Sequence, residues 1–143
     1  VQLTEWPLVD ERYLDPVLEE RWDKILKARE VVTKALEVAR QEKRIGHSLG
    51  AAVSIYADEE WRELLESIES IGSIFIVSQV GLYKADDRPA GSVELEDVQG
   101  LWVAVEPASG QKCERCWVIT PEVGTDPEHP TLCPRCLAVV KRS

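Results

Sequence analysis

The chain has 143 residues, 44% of them apolar and 30% charged, with a formal net charge of −9. Those figures allow one modest core plus an appendage, and they exclude a surface that grips polyanions along its whole length, because non-specific nucleic-acid affinity comes from phosphate neutralisation by Lys and Arg. No apolar run approaches the ~18 residues of a membrane span and no signal peptide opens the chain, so a soluble, cytoplasmic protein without a membrane partner is expected.

The charge is unevenly spread. Residues 1–110 carry twelve basic and twenty-two acidic side chains, whereas residues 111–143 carry five basic and four acidic ones. Any cationic contact surface is therefore local to the tail. The absence of Met from every position, with a start on Val1-Gln2-Leu3, is what a piece of a longer polypeptide would show.

Residues 1–14 read as an extended lead-in broken at Trp6-Pro7. Asp15-Pro16 reads as a helix start, since Asp accepts from free first-turn amides and Pro at the first helical position has its φ already set. From there to about residue 43, Leu18, Trp22, Ile25, Val32, Leu36 and Ala39 recur at steps of four and three, with Arg29 filling the one gap. A second apolar row, Val17, Ala28, Val31, Ala35 and Val38, widens the stripe. The pattern predicts a long amphipathic helix that packs on other members of a helical bundle or back on a sheet. Arg29 either snorkels to the rim or pairs with a Glu or an RNA phosphate. Lys24, Lys27 and Lys34 alternate with Glu20, Asp23, Glu30 and Glu37, the pattern of a solvated face.

Gly46 and Gly50 close the helix, and residues 51–56 alternate as a strand. Asp58 is expected to cap a short helix from Glu59 to about Ile68. The β-branched run 74–80 predicts a buried strand, 84–92 a loop, 93–95 a short edge strand, and 101–105 a further strand. Residues 107–110 hinge into the tail. The middle is thus a small strand-helix-strand-strand unit, and the fold class is α+β.

The tail holds all four cysteines, as Cys113-x2-Cys116-x16-Cys133-x2-Cys136. Two such turns brought together supply the tetrahedral sulfur set that zinc prefers, and the spacing is that of zinc sites. Disulfides fit poorly in a chain without a secretory segment, and iron is the rival metal. Four sulfurs fill the shell, so one structural Zn2+ is expected to fold its own loop, with affinity on the order of 10 kcal/mol. His47 lies far from the cysteines in sequence. His129 lies inside the loop, where turn structure, hydrogen bonding around the metal, or replacement of one cysteine are open to it. Arg115 and Arg135 flank the cysteines, either as outward contacts or as offsets to the −2 charge of a tetrathiolate zinc centre. A phosphate-binding Gly-rich loop, a G-x-S-x-G elbow and an H-E-x-x-H helix are all missing, so no catalytic residue is assigned.

Several blocks together carry a resemblance. They are Ala28-Arg29-Glu30-Val31-Val32-x-Lys34-Ala35-Leu36-Glu37-x-Ala39-Arg40, Ile45-Gly46-x-Ser48-Leu49-x-Ala51, Phe75-Ile76-Val77-Ser78, and Gly110-x-Lys112-Cys113-Glu114-Arg115-Cys116-Trp117. In this order and spacing, across roughly residues 3–140, the chain resembles the C-terminal region of bacterial-type isoleucyl-tRNA synthetases. The last block alone also looks like the zinc finger of formamidopyrimidine-DNA glycosylases. The synthetase resemblance implies that residues 1–45 end the anticodon-binding bundle, that 46–109 form a junction α/β domain and that 110–143 are a four-cysteine zinc-finger module.

It further implies a parent ligase that attaches isoleucine to tRNA(Ile) using ATP, with catalytic domains upstream, since HIGH-like and KMSKS-like signatures are missing here. The expected partners are the anticodon stem-loop of that tRNA and the upstream domains, not DNA. Lys112, Arg115, Arg135, Lys141 and Arg142 would then face RNA phosphates. Trp117 would stack on an unpaired base or fill the small core of its turn. The alternative is a zinc ribbon that scaffolds protein contacts without RNA.

Overall fold

The computed structural model describes residues 3, 5, 6, 8 and 10–142. The Trp6-Pro7 break and much of the lead-in fall on Val1, Gln2, Thr4, Pro7 and Val9, which lie outside the described residues. A 3-10 turn, Glu11–Tyr13, precedes the long helix α1, Pro16–Gln41. Asp15 caps it as expected, its side chain accepting from the amides of Val17 and Leu18. The helix ends before the two glycines. Lys43 takes up left-handed backbone (φ 58°), and the Arg44 amide reaches back to the Ala39 carbonyl at 2.9 Å. Arg44 also donates to the Val105 carbonyl, tying the helix exit to the sheet.

Four strands form the sheet in the order β2-β1-β4-β3: β1 Ala51–Ala57, β2 Gln79–Lys84, β3 Val93–Leu95 and β4 Val98–Pro107. β1 runs parallel to β2 and antiparallel to β4, with β3 as the antiparallel edge. Period two sends Val53, Ile55 and Ala57 to one face beside Val105, Val103 and Leu101, their partners across β4. That face is buried in one core with Ala28, Val31, Val32, Ala35, Leu36 and Ala39 of α1. The opposite face carries Tyr83, Tyr56 and Trp102 in register, with the two tyrosine rings stacked at 5.2 Å and Arg88 lying 4.4 Å over Trp102.

The apolar stripe of α1 thus meets the sheet over its C-terminal part only. Val17, Leu18, Trp22 and Leu26 remain exposed, as do Trp6 and Leu8 before them. Arg29 resolves as a rim residue: it is exposed, and its Nε donates to the Ile74 carbonyl at 3.2 Å.

Two short helices join β1 to β2: α2, Glu59–Glu66, and α3, Ile71–Phe75. Asp58 stands at the start of α2 but makes no capping bond from its side chain. Its amide donates to the Gly100 carbonyl at 2.9 Å and its carboxylate lies on Gly100, where a Cβ would come within 2.3 Å of Oδ2. That carboxylate is turned toward β4 instead of the helix end.

The β-branched run at 74–80 is not one strand. Ile71, Ile74 and Phe75 recur at helical spacing, α3 buries Phe75, and Ile76 ends it in left-handed backbone (φ 56°). The strand begins only at Gln79. Burial of Phe75 and Val77 against the core outweighs the strand preference of isoleucine and valine, a preference that follows context more than backbone.

The tail is docked on the parallel edge of the sheet by two adjacent residues. The Ser78 hydroxyl donates to the Leu49 carbonyl at 2.6 Å and accepts the Ile119 amide at 2.7 Å. The Gln79 amide donates to the Ser109 carbonyl at 2.7 Å and accepts the Ser109 amide at 3.3 Å. Ser78→Ala removes a half-buried donor and acceptor at once. It is expected to lower stability by about 1–3 kcal/mol in urea titration and to speed hydrogen exchange at the Ile119 amide.

Candidate metal centre

Gly110 opens the tail with φ +112° and leaves no room for a side chain, since a Cβ there would lie 2.3 Å from the Thr120 backbone. Strands β5 Gln111–Lys112 and β6 Ile119–Thr120 pair antiparallel, and the first cysteine pair sits in the turn between them. The Cys113 amide donates to the Val118 carbonyl at 2.9 Å, and the Trp117 amide to the Cys113 carbonyl at 2.8 Å. The second pair stands at the start of α4, Pro134–Val140, with Cys133 at the cap and Pro134 in the first turn. The Glu114 amide, donating to the Thr131 carbonyl at 3.1 Å, joins the two turns.

This brings all four sulfurs within 4.8 Å of one another. Cys113, Cys133 and Cys136 are buried and, with Val123, form a core of their own. Cys116 and Cys133 have sulfurs 3.7 Å apart, far beyond a disulfide bond of about 2.05 Å. Four sulfurs each ~2.3 Å from a tetrahedral zinc ion lie about 3.8 Å apart. The set can hold one zinc ion, and His129 is not needed: its amide and carbonyl serve the turn between Asp126 and Leu132.

The electrostatics also suit a cation. Burial pushes the Cys133 thiol up to about 12, with the neighbouring sulfurs adding to the effect. Burial acts the same way on Cys113, but amides of Cys116, Cys133 and Arg115 directed at its sulfur outweigh it and bring the thiol down to about 6. Thiolates crowded this closely resist joint ionisation, and a dication removes the conflict. A zinc ion held by all four sulfurs would have no position open to water, the arrangement of a structural site.

The cationic and aromatic residues divide into three groups. Trp117 is 60% exposed, outside the small core, and held in left-handed backbone (φ 67°) by the turn. Lys112 places its Nζ 5.5 Å from the centre of that ring. Together with His47, Ser48, Leu49 and Ile76 they line a hollow of about 420 Å³ between the tail and the helix-to-strand turns. Ile76, 51% exposed, is the second left-handed non-glycine residue in it. Arg115 and Arg135 are exposed; Arg115 Nη1 lies 3.6 Å from the Cys136 sulfur, and the Cys116 sulfur nearby raises the pKa of Arg135. Lys141 is ion-paired with Asp126, whose carboxyl it holds below the usual range, while Arg142 is exposed beyond α4.

Sequence reasoning missed His47 and Ile76 as lining residues and Ser78 and Gln79 as the docking pair. Nothing in an isoleucine announces positive φ. The Ser-Gln pair inside a β-branched run was the available signal for docking.

Comparisons with known proteins agree with the site. Residues 110–139 match the family described as "Zinc finger found in FPG and IleRS". Over 98% of its length the chain is 52% identical to the isoleucine–tRNA ligase of Syntrophomonas wolfei. It is 49% identical over 99% of its length to that of Moorella thermoacetica, and 51% identical over 98% to that of Carboxydothermus hydrogenoformans. The chain spans 15% of the length of each. It is therefore a relative of one segment of the isoleucine–tRNA ligases and carries their zinc finger.

Chelation is expected to remove one zinc per chain by elemental analysis. Amide exchange should then rise across residues 113–140 while β1 and β4 stay protected. Cys113→Ser should reproduce the effect without chelator.

Proposed function

We propose that this chain, as a relative of one segment of the isoleucine–tRNA ligases, is the C-terminal part of such an enzyme. In that reading it holds the anticodon side of tRNA(Ile) while upstream domains carry out ATP-dependent attachment of isoleucine in the cytoplasm. Residues 1–45 would end the anticodon-binding bundle, 46–109 would join it to the tail, and 110–143 would be the RNA-facing zinc module. No catalytic residue is assigned to this part.

The observation that carries the reading is Trp117. A large aromatic ring left 60% exposed, in backbone that costs a non-glycine residue on the order of 1 kcal/mol, is unexplained by packing. It is suited to stacking on an unpaired base, worth ~1–3 kcal/mol, with the Lys112 ammonium beside it for a neighbouring phosphate. Arg142 and the outward edges of Arg115 and Arg135 would add phosphate contacts. Lys141 would contribute least, because Asp126 and Glu128 already engage it.

The exposed apolar residues of α1, from Val17 to Leu26, support contact with upstream helices of the same enzyme. The acidic balance of residues 1–110 supports confining the RNA to the tail.

The role is positional, so the two half-reactions should separate. In the full-length enzyme, Trp117→Ala is expected to lower tRNA aminoacylation about tenfold or more, while isoleucine-dependent pyrophosphate exchange stays within twofold. Equal loss in both assays would refute positioning. Unchanged aminoacylation would favour a protein-binding zinc ribbon.

A further inference from the structure

Among the described residues three non-glycines hold positive φ, Lys43, Ile76 and Trp117, and two of them line one hollow. Trp117 comes from the first cysteine turn and Ile76 from the end of α3. Ile76 lies at φ 56° and ψ 49°, in a capping position where glycine would sit without strain. For a β-branched side chain that backbone is an outlier. Packing does not account for it, since Ile76 is 51% exposed and Trp117 60%. Strained residues of this kind cluster where a ligand is clamped.

The other lining groups indicate what the ligand is. A flat indole and a branched aliphatic side chain suit a flat ring. Lys112 holds its Nζ 5.5 Å from the centre of the indole, so an anion is favoured beside it. His47 and Ser48 bring an imidazole and a hydroxyl, and the imidazole makes no capping bond to the turn it opens. Its Cε1 and Nε2 stand 3.8 Å from where a Cβ on Gly50 would be, which places the ring over that glycine. A flat ring with polar edges and an attached anion describes a nucleotide. The walls of the hollow are tied to each other through Ser78, which donates to the Leu49 carbonyl and accepts the Ile119 amide.

We propose that this hollow is a slot for one unpaired nucleotide of RNA, its base between Trp117 and Ile76, its phosphate at Lys112 and its polar edge at His47 and Ser48. The inference rests on the RNA reading above and adds to it a second wall from the α/β unit. His47 and Ile76, and not Trp117 alone, set how tightly the nucleotide is held.

The test uses the full-length enzyme and synthetic anticodon stem-loops of tRNA(Ile), intact or with one abasic nucleotide at each loop position in turn, with binding read by fluorescence anisotropy. Ile76→Gly and His47→Ala are each expected to weaken binding of the intact stem-loop, Ile76→Gly about tenfold, the scale of one stacked base. Ile76→Gly relieves the backbone strain, so its thermal midpoint should be no lower than that of wild type; Ile76→Asn, which also tolerates this backbone, should bind as weakly. One abasic position should cost wild type about tenfold and Ile76→Gly less than twofold, because the wall and the base it touches form one interaction.

Equal cost of every abasic position in wild type and Ile76→Gly would overturn the slot. Binding within twofold of wild type for both Ile76→Gly and His47→Ala would do the same. In that case a weakened Trp117→Ala leaves the RNA reading standing with stacking on one face, whereas an unaffected Trp117→Ala removes that reading as well. Displacement of the stem-loop by a free mononucleotide well below millimolar concentration would assign the slot to a soluble nucleotide and overturn the RNA assignment.

Discussion

Mutual repulsion among four crowded sulfurs is the constraint on which the tail depends. In a span of about thirty residues the core among the described residues is Val123 and the cysteines themselves, with Leu132 beside them. So little apolar area cannot order a chain segment against its conformational entropy. Metal–thiolate bonding supplies the missing free energy, and the same four side chains serve as ligands and as core. The turn geometry follows from that demand, including the left-handed residue that puts Trp117 outside.

The tail is not a free appendage. Gly110 brings its two strands together, and Ser78 and Gln79 fix them to the parallel edge of the sheet. A serine hydroxyl that donates to one element and accepts from another is a directional joint, more specific than apolar contact. Because Ser78 and Gln79 follow directly on Ile76 and Val77, the turn that ends α3 also sets one wall of the hollow beside Trp117. Order at the metal and order in the sheet therefore meet at one place in the chain.

Charge is organised on the same local scale. An acidic chain would repel a polyanion along most of its surface, and the few cations of the tail are not equivalent. Lys141 is held by Asp126, Arg115 by the Cys136 sulfur, and Lys112 lies beside an aromatic ring. Counting basic residues would have treated all of these as one patch. Their partners divide them into groups with different work.

The cysteine spacing, Asp15-Pro16 and the two apolar rows of α1 were legible without coordinates, because each reports a local rule: ligand spacing, cap chemistry and helical period. The alternation of residues 51–56 reported a half-buried strand for the same reason. What the tertiary structure decided was where local rules compete. The run 74–80 has the composition of a strand, yet burial of Phe75 put its first two residues in a helix and moved the strand to residues 79–84. Asp58 has the identity of a cap, yet contact with Gly100 turned it away. The approach of Arg115 to Cys136 depends on two turns far apart in sequence meeting in space, and spacing along a chain holds no information about which sulfur a distant guanidinium will reach.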